Sequence, residues 1–220
     1  MKKAKKLFAV IGLGRFGTSV ALTLQSLGHE VLAIDSDEEQ VQKLSDQVTH
    51  VVQADTTDEN SLNALGLRNF DAVVVAIGED VQANVATTLL LKEMGIPFII
   101  AKAKNALHGK MLGKIGADRV VYPERDMGQR VAHNLVSSNV LDYIELSPDL
   151  SLVEVTAPET FVGKTLKQTD MRALYGVNLV AIKRCDGLII TPQPDELILK
   201  GDILILIGAT EGLRQLESLE

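Results

Sequence analysis

Ala9-Val10-Ile11-Gly12-Leu13-Gly14-Arg15-Phe16-Gly17 is the stretch on which the fold turns. The apolar run Leu7–Ile11 leads straight into G-x-G-x-x-G, and Ser19, Val20, Leu22 and Leu24 continue at helical spacing, so the order is strand, tight loop, helix. The glycines have separate tasks: Gly12 permits the turn, Gly14 lets backbone approach a pyrophosphate, and Gly17 lets the helix pack on the strand. The new helix aims its free N–H groups and the positive end of its dipole at the phosphates. Such a glycine pattern alone marks many ordinary turns. The strand before it and the helix after it turn it into a nucleotide signal.

Glu30–Ile34 reads as a second strand, ending in Asp35 about 20 residues past the loop, where an acid accepts hydrogen bonds from ribose hydroxyls. An acid there repels a 2′-phosphate and so disfavours NADP. Its other reading is a turn or capping residue before a helix at Asp37–Leu44. Thr49–Ala54 follows as strand three. Asp55 and Thr56 are placed to face an adenine edge at the strand's carboxyl end, and Thr57 or Asp58 to cap the helix Glu59–Leu65, which does not exclude a ligand role for the others. Ala72–Ile77 is a continuous apolar run, as a strand covered on both faces requires, and Gly78 closes it. A helix over Val81–Met94 ends at Gly95 with Pro97 beyond, and Phe98–Ala101 is strand five. Lys102, just past it, either reaches a bound phosphate or faces solvent. Leu107–Ile115 is helical to Gly116, Asp118–Tyr122 is strand six, and Pro123-Glu124-Arg125-Asp126 opens a helix running to Val140. Its apolar positions Met127, Val131, Ala132, Leu135 and Val136 form one stripe, either core or subunit contact.

Six alternating units predict an α/β fold, a Rossmann-like doubly wound parallel sheet over residues 1–140. The texture then changes. Ser147-Pro148-Asp149 is a turn-rich break, Leu152–Val155 a strand, and Leu166–Leu174 a helix closed by Gly176. Leu179–Lys183 and Leu188–Thr191 make a hairpin around Asp186-Gly187. Ile203–Ile207 is a further strand, and Gly212–Leu219 a short amphipathic helix. Residues 141–220 therefore read as a second, smaller α+β domain, mostly antiparallel.

Bulk properties narrow the function. The 220 residues are 46% hydrophobic and 23% charged, ordinary for globular chains, and the net charge of -7 argues against a nucleic-acid binder. Cys185 is the only cysteine, which excludes an internal disulfide and suits a reducing cytoplasm. The basic start before Leu7 reads as a solvated arm, because the apolar run behind it stops at the glycine loop, short of the roughly 7–15 residues of a signal core. No stretch approaches the roughly 18 apolar residues of a membrane span.

NAD, ADP and ATP share adenosine, ribose and phosphates, so the loop and Asp35 alone do not separate them. A dehydrogenase also needs a proton donor or acceptor at its nicotinamide. The four histidines, His29, His50, His108 and His133, all precede the second domain, and their scatter has no metal-ligand spacing. No nucleophile elbow or Walker A lysine is present. A binding and switching module is expected rather than an enzyme, with a small NAD(H)-dependent oxidoreductase or redox sensor as the alternative. Arg15 tilts the choice toward ADP or ATP, since its fork suits a terminal phosphate that a dinucleotide lacks; otherwise it is a solvent-exposed arginine at a helix start. Glu124 either helps hold a cation against phosphate charge or simply favours a helix N-terminus.

Gly12-Leu13-Gly14-Arg15-Phe16-Gly17, Asp35, Arg68-Asn69-Phe70, Val75-Ala76-Ile77-Gly78, Lys114-Ile115-Gly116-Ala117-Asp118 and Pro123-Glu124 together resemble the cytosolic RCK (KTN) subunits of Ktr/Trk-type potassium uptake systems. Gly201-Asp202 and the segment from Arg172 to Asn178 are similar to that family's C-terminal domain. The resemblance implies dimers that assemble into an octameric ring beneath a membrane-embedded potassium-transporting subunit, holding the chain on the inner face of the plasma membrane. It implies a pocket for ATP or ADP lined by Gly12, Gly14, Arg15, Phe16, Gly17, Asp35, Asp55, Thr56, Ala76, Gly78 and Lys102, with ATP favouring transport. It further implies a cation (magnesium, calcium or sodium) bound with the help of Glu124 at the dimer interface. Finally it implies cyclic di-AMP held between two C-terminal domains by Leu166, Met171, Arg172, Asn178 and Pro192.

Overall fold

The computed structural model describes residues 5–136, 139–147, 149–217 and 219. The chain forms two compact units, Met1–Pro123 and Glu124–Glu220. In the first, β1 (Leu7–Ile11), β2 (Glu30–Asp35), β3 (His50–Gln53), β4 (Ala72–Val75), β5 (Ile99–Lys102) and β6 (Arg119–Val121) make one parallel sheet in the order β3-β2-β1-β4-β5-β6. The helices α1 (Arg15–Ser26), α2 (Glu38–Leu44), α3 (Glu59–Ala64), α4 (Val81–Glu93) and α5 (Ala106–Ile115) connect the strands. Successive strand residues point to opposite faces, so an unbroken apolar strand feeds two cores at once. Val73 and Val75 join Ile11, Ile34, Leu91 and Ile99 in one, and Val74 joins Val10, Ala21 and Ala33 in the other. The strand order reverses at β1, and in such sheets ligands bind beyond the strands' carboxyl ends at that switch.

The second unit contains α6 (Pro123–Val136), β7 (Val140–Ser147), β8 (Leu150–Thr156), α7 (Leu166–Thr169), α8 (Met171–Tyr175), β9 (Val177–Arg184), β10 (Gly187–Ile190), β11 (Ile203–Ala209) and α9 (Thr210–Glu217). Its five strands form an antiparallel sheet in the order β10-β9-β11-β8-β7 around a core of Val153, Ile182, Ile198, Leu204, Leu206 and Leu213.

Three features differ from the sequence expectation. The helix expected to reach Val140 is assigned only to Val136, and Val140 opens the strand β7. β7 pairs with β8, and the expected break at Ser147-Pro148-Asp149 falls between them, Pro148 itself lying outside the described residues. A register shift between Val140 and Asp142 disrupts the alternation that would have announced this strand: Val140 and Tyr143 are buried while Leu141, Ile144 and Leu146 are exposed. The helix expected over Leu166–Leu174 is two short ones, because Asp170 takes the left-handed conformation at φ 48°. The division near residue 140 placed α6 with the first domain, whereas the compact units put it with the second, where Arg130 pairs with Asp142 and Asn134 donates to the Leu141 carbonyl. Met127, Val131 and Leu135 of its apolar stripe are exposed in the single chain, so they are not core; the Val136 side chain is outside the described residues.

Candidate functional site

The glycine loop is built as a turn only glycine can make. Gly12 sits at φ 90°, and a Cβ there would lie 2.8 Å from the Ile77 nitrogen. A Cβ on Gly17 would fall 1.8 Å from the Gly12 carbonyl oxygen and 3.1 Å from the Ala76 Cβ, so α1 packs on the loop and on the end of β4 through bare backbone. Gly14 is different, with nothing within 4 Å of its missing Cβ. Its absent side chain leaves open space outside the loop rather than a tight contact inside it.

Helix capping separates α1 from its neighbours. Asp37, Asp58, Asp80 and Asn105 cap α2, α3, α4 and α5 with side-chain oxygens. Gly14 at the N-cap of α1 supplies no side-chain acceptor, and no acid lies in its first turn. The first N–H groups and the positive dipole end of α1 are therefore left without a capping side chain, beside the exposed Arg15 and the half-buried Phe16.

Asp35 ties the second strand tip to this loop. Its Oδ2 accepts from the Leu13 N–H at 2.5 Å and its Oδ1 from the Asp37 N–H at 2.9 Å. A carboxylate has about four acceptor sites, so two remain for hydroxyls of a ligand. Asp55, at the end of β3, is exposed; its Oδ1 accepts from both the N–H and the hydroxyl of Thr57, which lowers its pKa. Asp58 is the residue that caps α3. Thr56 is buried, with its hydroxyl 2.9 Å from that of Thr87. Ala76 is buried beside Gly17, while Gly78 lies under Lys102: a Cβ on Gly78 would meet the lysine Nζ at 3.1 Å. Gly12, Gly14, Arg15, Phe16, Gly17, Asp35, Ala76, Gly78 and Lys102 thus belong to one sheet edge around the β1–β4 switch. Asn84, absent from the sequence reading, is fully buried and donates from its amide to the carbonyls of Ile77 at 2.6 Å and Lys102 at 3.0 Å. A signal was present in the polar positions Asn84, Thr87 and Thr88, spaced i, i+3, i+4 within the otherwise apolar stretch Ala83–Leu91 of α4.

In the second unit, Met171 is buried in the core and Leu166 packs against it, whereas Arg172 and Asn178 are exposed on either side of the Gly176 turn. Pro192 follows β10 and is half-buried. Glu124 is exposed in the first turn of α6. Among the described residues no three His, Cys, Asp or Glu side chains gather as a metal site within the chain. Asp202, quoted from the sequence only within the family string Gly201-Asp202, is a buried anion. It receives Arg184 Nε and Nη2, both at 2.8 Å, and the Leu199 N–H at 2.9 Å, and the Arg184 guanidinium holds its carboxyl below the usual carboxylate range.

His108 provides a pH-sensitive point in the first unit. It is buried, its Nδ1 accepts from the Lys104 N–H at 3.2 Å, its Nε2 has no hydrogen-bond partner, and burial lowers its pKa from 6.5. The unfolded chain thus binds more protons just below that pH, so stability is present above it and falls as acid is added. Thermal melting between pH 8 and 5 is expected to show this loss in the native protein. His108→Asn, which keeps an acceptor near Nδ1 but does not titrate, is expected to flatten it.

A parallel sheet with an uncapped helix at its switch point defines a protein of the nucleotide-binding α/β class, joined to a small antiparallel module. Residues 8–123 match the TrkA-N domain family and residues 150–220 the TrkA-C domain family. The chain is 53% identical over 213 residues to Ktr system potassium uptake protein C of Bacillus subtilis, covering 97% of this chain and 96% of that one. It is 46% identical to potassium uptake protein A of the same system, also over 97% of this chain and 96% of the relative. Against the corresponding protein A of Vibrio alginolyticus it is 37% identical, covering 97% of each. The GsuK channel shares the fold at a TM-score of 0.71 and 22% identity, this chain matching 40% of the channel's length. The chain belongs to the TrkA-N/TrkA-C family, the RCK regulatory subunits of Ktr potassium uptake. No described helix is long and apolar enough to cross a membrane.

Proposed function

We propose that this chain is a cytosolic regulatory subunit, without turnover of its own, that gates a separate membrane-embedded potassium-transporting subunit according to the adenine nucleotide it holds. The observation that carries this reading is the α1 N-terminus: it alone among α1–α5 has neither a side-chain cap nor an acid, and it stands beside Asp35 and Arg15. Asp35 takes the ribose, the loop takes the inner phosphates, and Arg15 takes the terminal phosphate. Homodimers assemble into an octameric ring whose shape follows the bound nucleotide, because a ligand shifts a two-state assembly only by its difference in affinity for the two states. The exposed Met127, Val131 and Leu135 on α6 suit a contact between copies. Residues 1–140 act as the nucleotide domain with α6 as its crossover helix, and residues 141–220 as the ligand-binding and dimerising domain. Glu124 contributes to a cation site completed by the partner copy. Arg172 and Asn178, both exposed, face cyclic di-AMP between two copies, with Leu166, Met171 and Pro192 forming the apolar support.

Titration of ATP, ADP and NADH against the purified protein, with ring dimensions followed in solution, tests the reading. Equal affinities and an unchanged shape would refute it. Arg15→Ala is expected to weaken ATP by about 10- to 100-fold, the loss of one charge-assisted pair, and ADP by less than about threefold. Identical losses for both would remove Arg15 from the terminal phosphate.

A further inference from the structure

One face of α4 carries a buried polar ladder that the nucleotide reading does not use. Asn84, Thr87 and Thr88 are each fully buried. The Asn84 amide donates to Ile77 O at the end of β4 and to Lys102 O at the end of β5, while the Thr88 hydroxyl reaches its Oδ1 at 3.5 Å. Both targets of Nδ2 are carbonyls, so the amide orientation is dictated by its partners. One turn further along, the Thr87 hydroxyl donates to Thr56 O at 3.1 Å and stands 2.9 Å from the Thr56 hydroxyl. The segments ending β3, β4 and β5 are thus fastened to a single helix. Buried groups of this kind are costly when left unpaired, which makes the ladder rigid.

The two rungs fasten different things. Asn84 holds the backbone on both sides of the contact between Gly78 and Lys102, where the lysine ammonium lies over a glycine that has no side chain to displace it. Ile77 is also the residue against which Gly12 is packed. The Asn84 rung therefore fixes the backbone from which the Lys102 side chain extends toward Gly78. The Thr87 rung fixes only Thr56, next to Asp55 at the end of β3.

We propose that Asn84 and Thr87 are positioning residues with separable tasks, Asn84 aiming Lys102 at the outer phosphates of the nucleotide and Thr87 holding the Asp55-Thr56 turn against its base. This rests on the adenine-nucleotide reading above. It assigns the α4 face a part in discriminating ATP from AMP rather than only in packing.

Calorimetric titration of AMP and ATP into the full-length protein tests it. Asn84→Ala is expected to weaken ATP about tenfold and AMP less than about twofold, the scale of one mispositioned charged contact. Thr87→Val, nearly isosteric, is expected to weaken both nucleotides equally and leave their ratio unchanged. In a Lys102→Met background the effect of Asn84→Ala on the ratio should vanish, because Asn84 acts through that lysine. If Asn84→Ala does not fold, Asn84→Ser is read by the same criteria. Equal losses for AMP and ATP in the Asn84 variant, or a full ratio effect that survives Lys102→Met, would overturn the assignment and leave only a structural ladder. Native protein that binds neither nucleotide would instead overturn the adenine-nucleotide reading, and this assignment with it.

Discussion

Asp202→Ala is expected to destabilise the second unit by about 3 kcal/mol, the lower end of the cost of breaking a buried pair, because the half-buried Arg184 guanidinium keeps only the longer ion pair, with Glu196. Asp202 is 1% exposed and the Arg184 side chain 17%. Arg184 also reaches Glu196 at 3.4 Å and the Leu197 carbonyl at 3.1 Å, so the cluster fastens the segment before β11 to the end of β9. Removing the anion frees the Leu199 N–H as well. The chain has no tryptophan and three tyrosines, two of which, Tyr143 and Tyr175, lie in the second unit. Urea unfolding followed by tyrosine signal should show an early loss in the variant. Replacing both partners by apolar residues, Asp202→Leu with Arg184→Met, should recover the part that comes from the ill-paired charge, leaving the loss of the Leu199 hydrogen bond. The folded-state pKa of Asp202 is depressed, so its contribution is present above the ordinary carboxylate value near 3.8 and is lost as pH falls through the lowered one. Acid therefore acts on the two units in different windows, first through His108 and later through Asp202.

Gly17→Ala is expected to cost about 3 kcal/mol, the upper part of the range for overpacking, because the added methyl meets a backbone carbonyl that cannot swing aside. The 1.8 Å separation from Gly12 O requires β1, the loop or α1 to shift, and any such shift misaligns the Leu13–Asp35 contact. Nucleotide titration should then give no signal even where the variant remains folded. Gly14→Ala separates the two causes. Gly14 has φ -65° and open space around its missing Cβ, so this variant should melt within about 1 kcal/mol of the parent. It should nevertheless bind nucleotide weakly, because its methyl occupies the side from which phosphate approaches. Normal nucleotide affinity in Gly14→Ala would contradict the orientation assigned to the loop.

These cases mark what could be read directly. The strand–loop–helix order, the acid at the second strand tip and the alternating units are local patterns whose periods survive in the structure, and the family strings lie on them. β7 was missed because a register shift disrupts its alternation and several of its apolar residues face outward. The break at Asp170 was missed because a left-handed aspartate between two helical turns has no periodic signature. The contacts of Asn84 and of Asp202 were illegible for a shared reason. Each satisfies groups distant in sequence, Ile77 and Lys102 in one case and Arg184 in the other, and composition does not report who meets whom. Met171, which resemblance places beside a ligand, lies in the core next to the exposed Arg172, a burial that composition does not report.

The grip of Asp35 on Leu13 bears on timing. A hydrogen bond within the chain holds the acid to the glycine turn, so the shape of the crevice is set by the chain's own contacts. If the proposed function holds, encounter should govern the speed of nucleotide loading, with little rearrangement of the crevice to wait for.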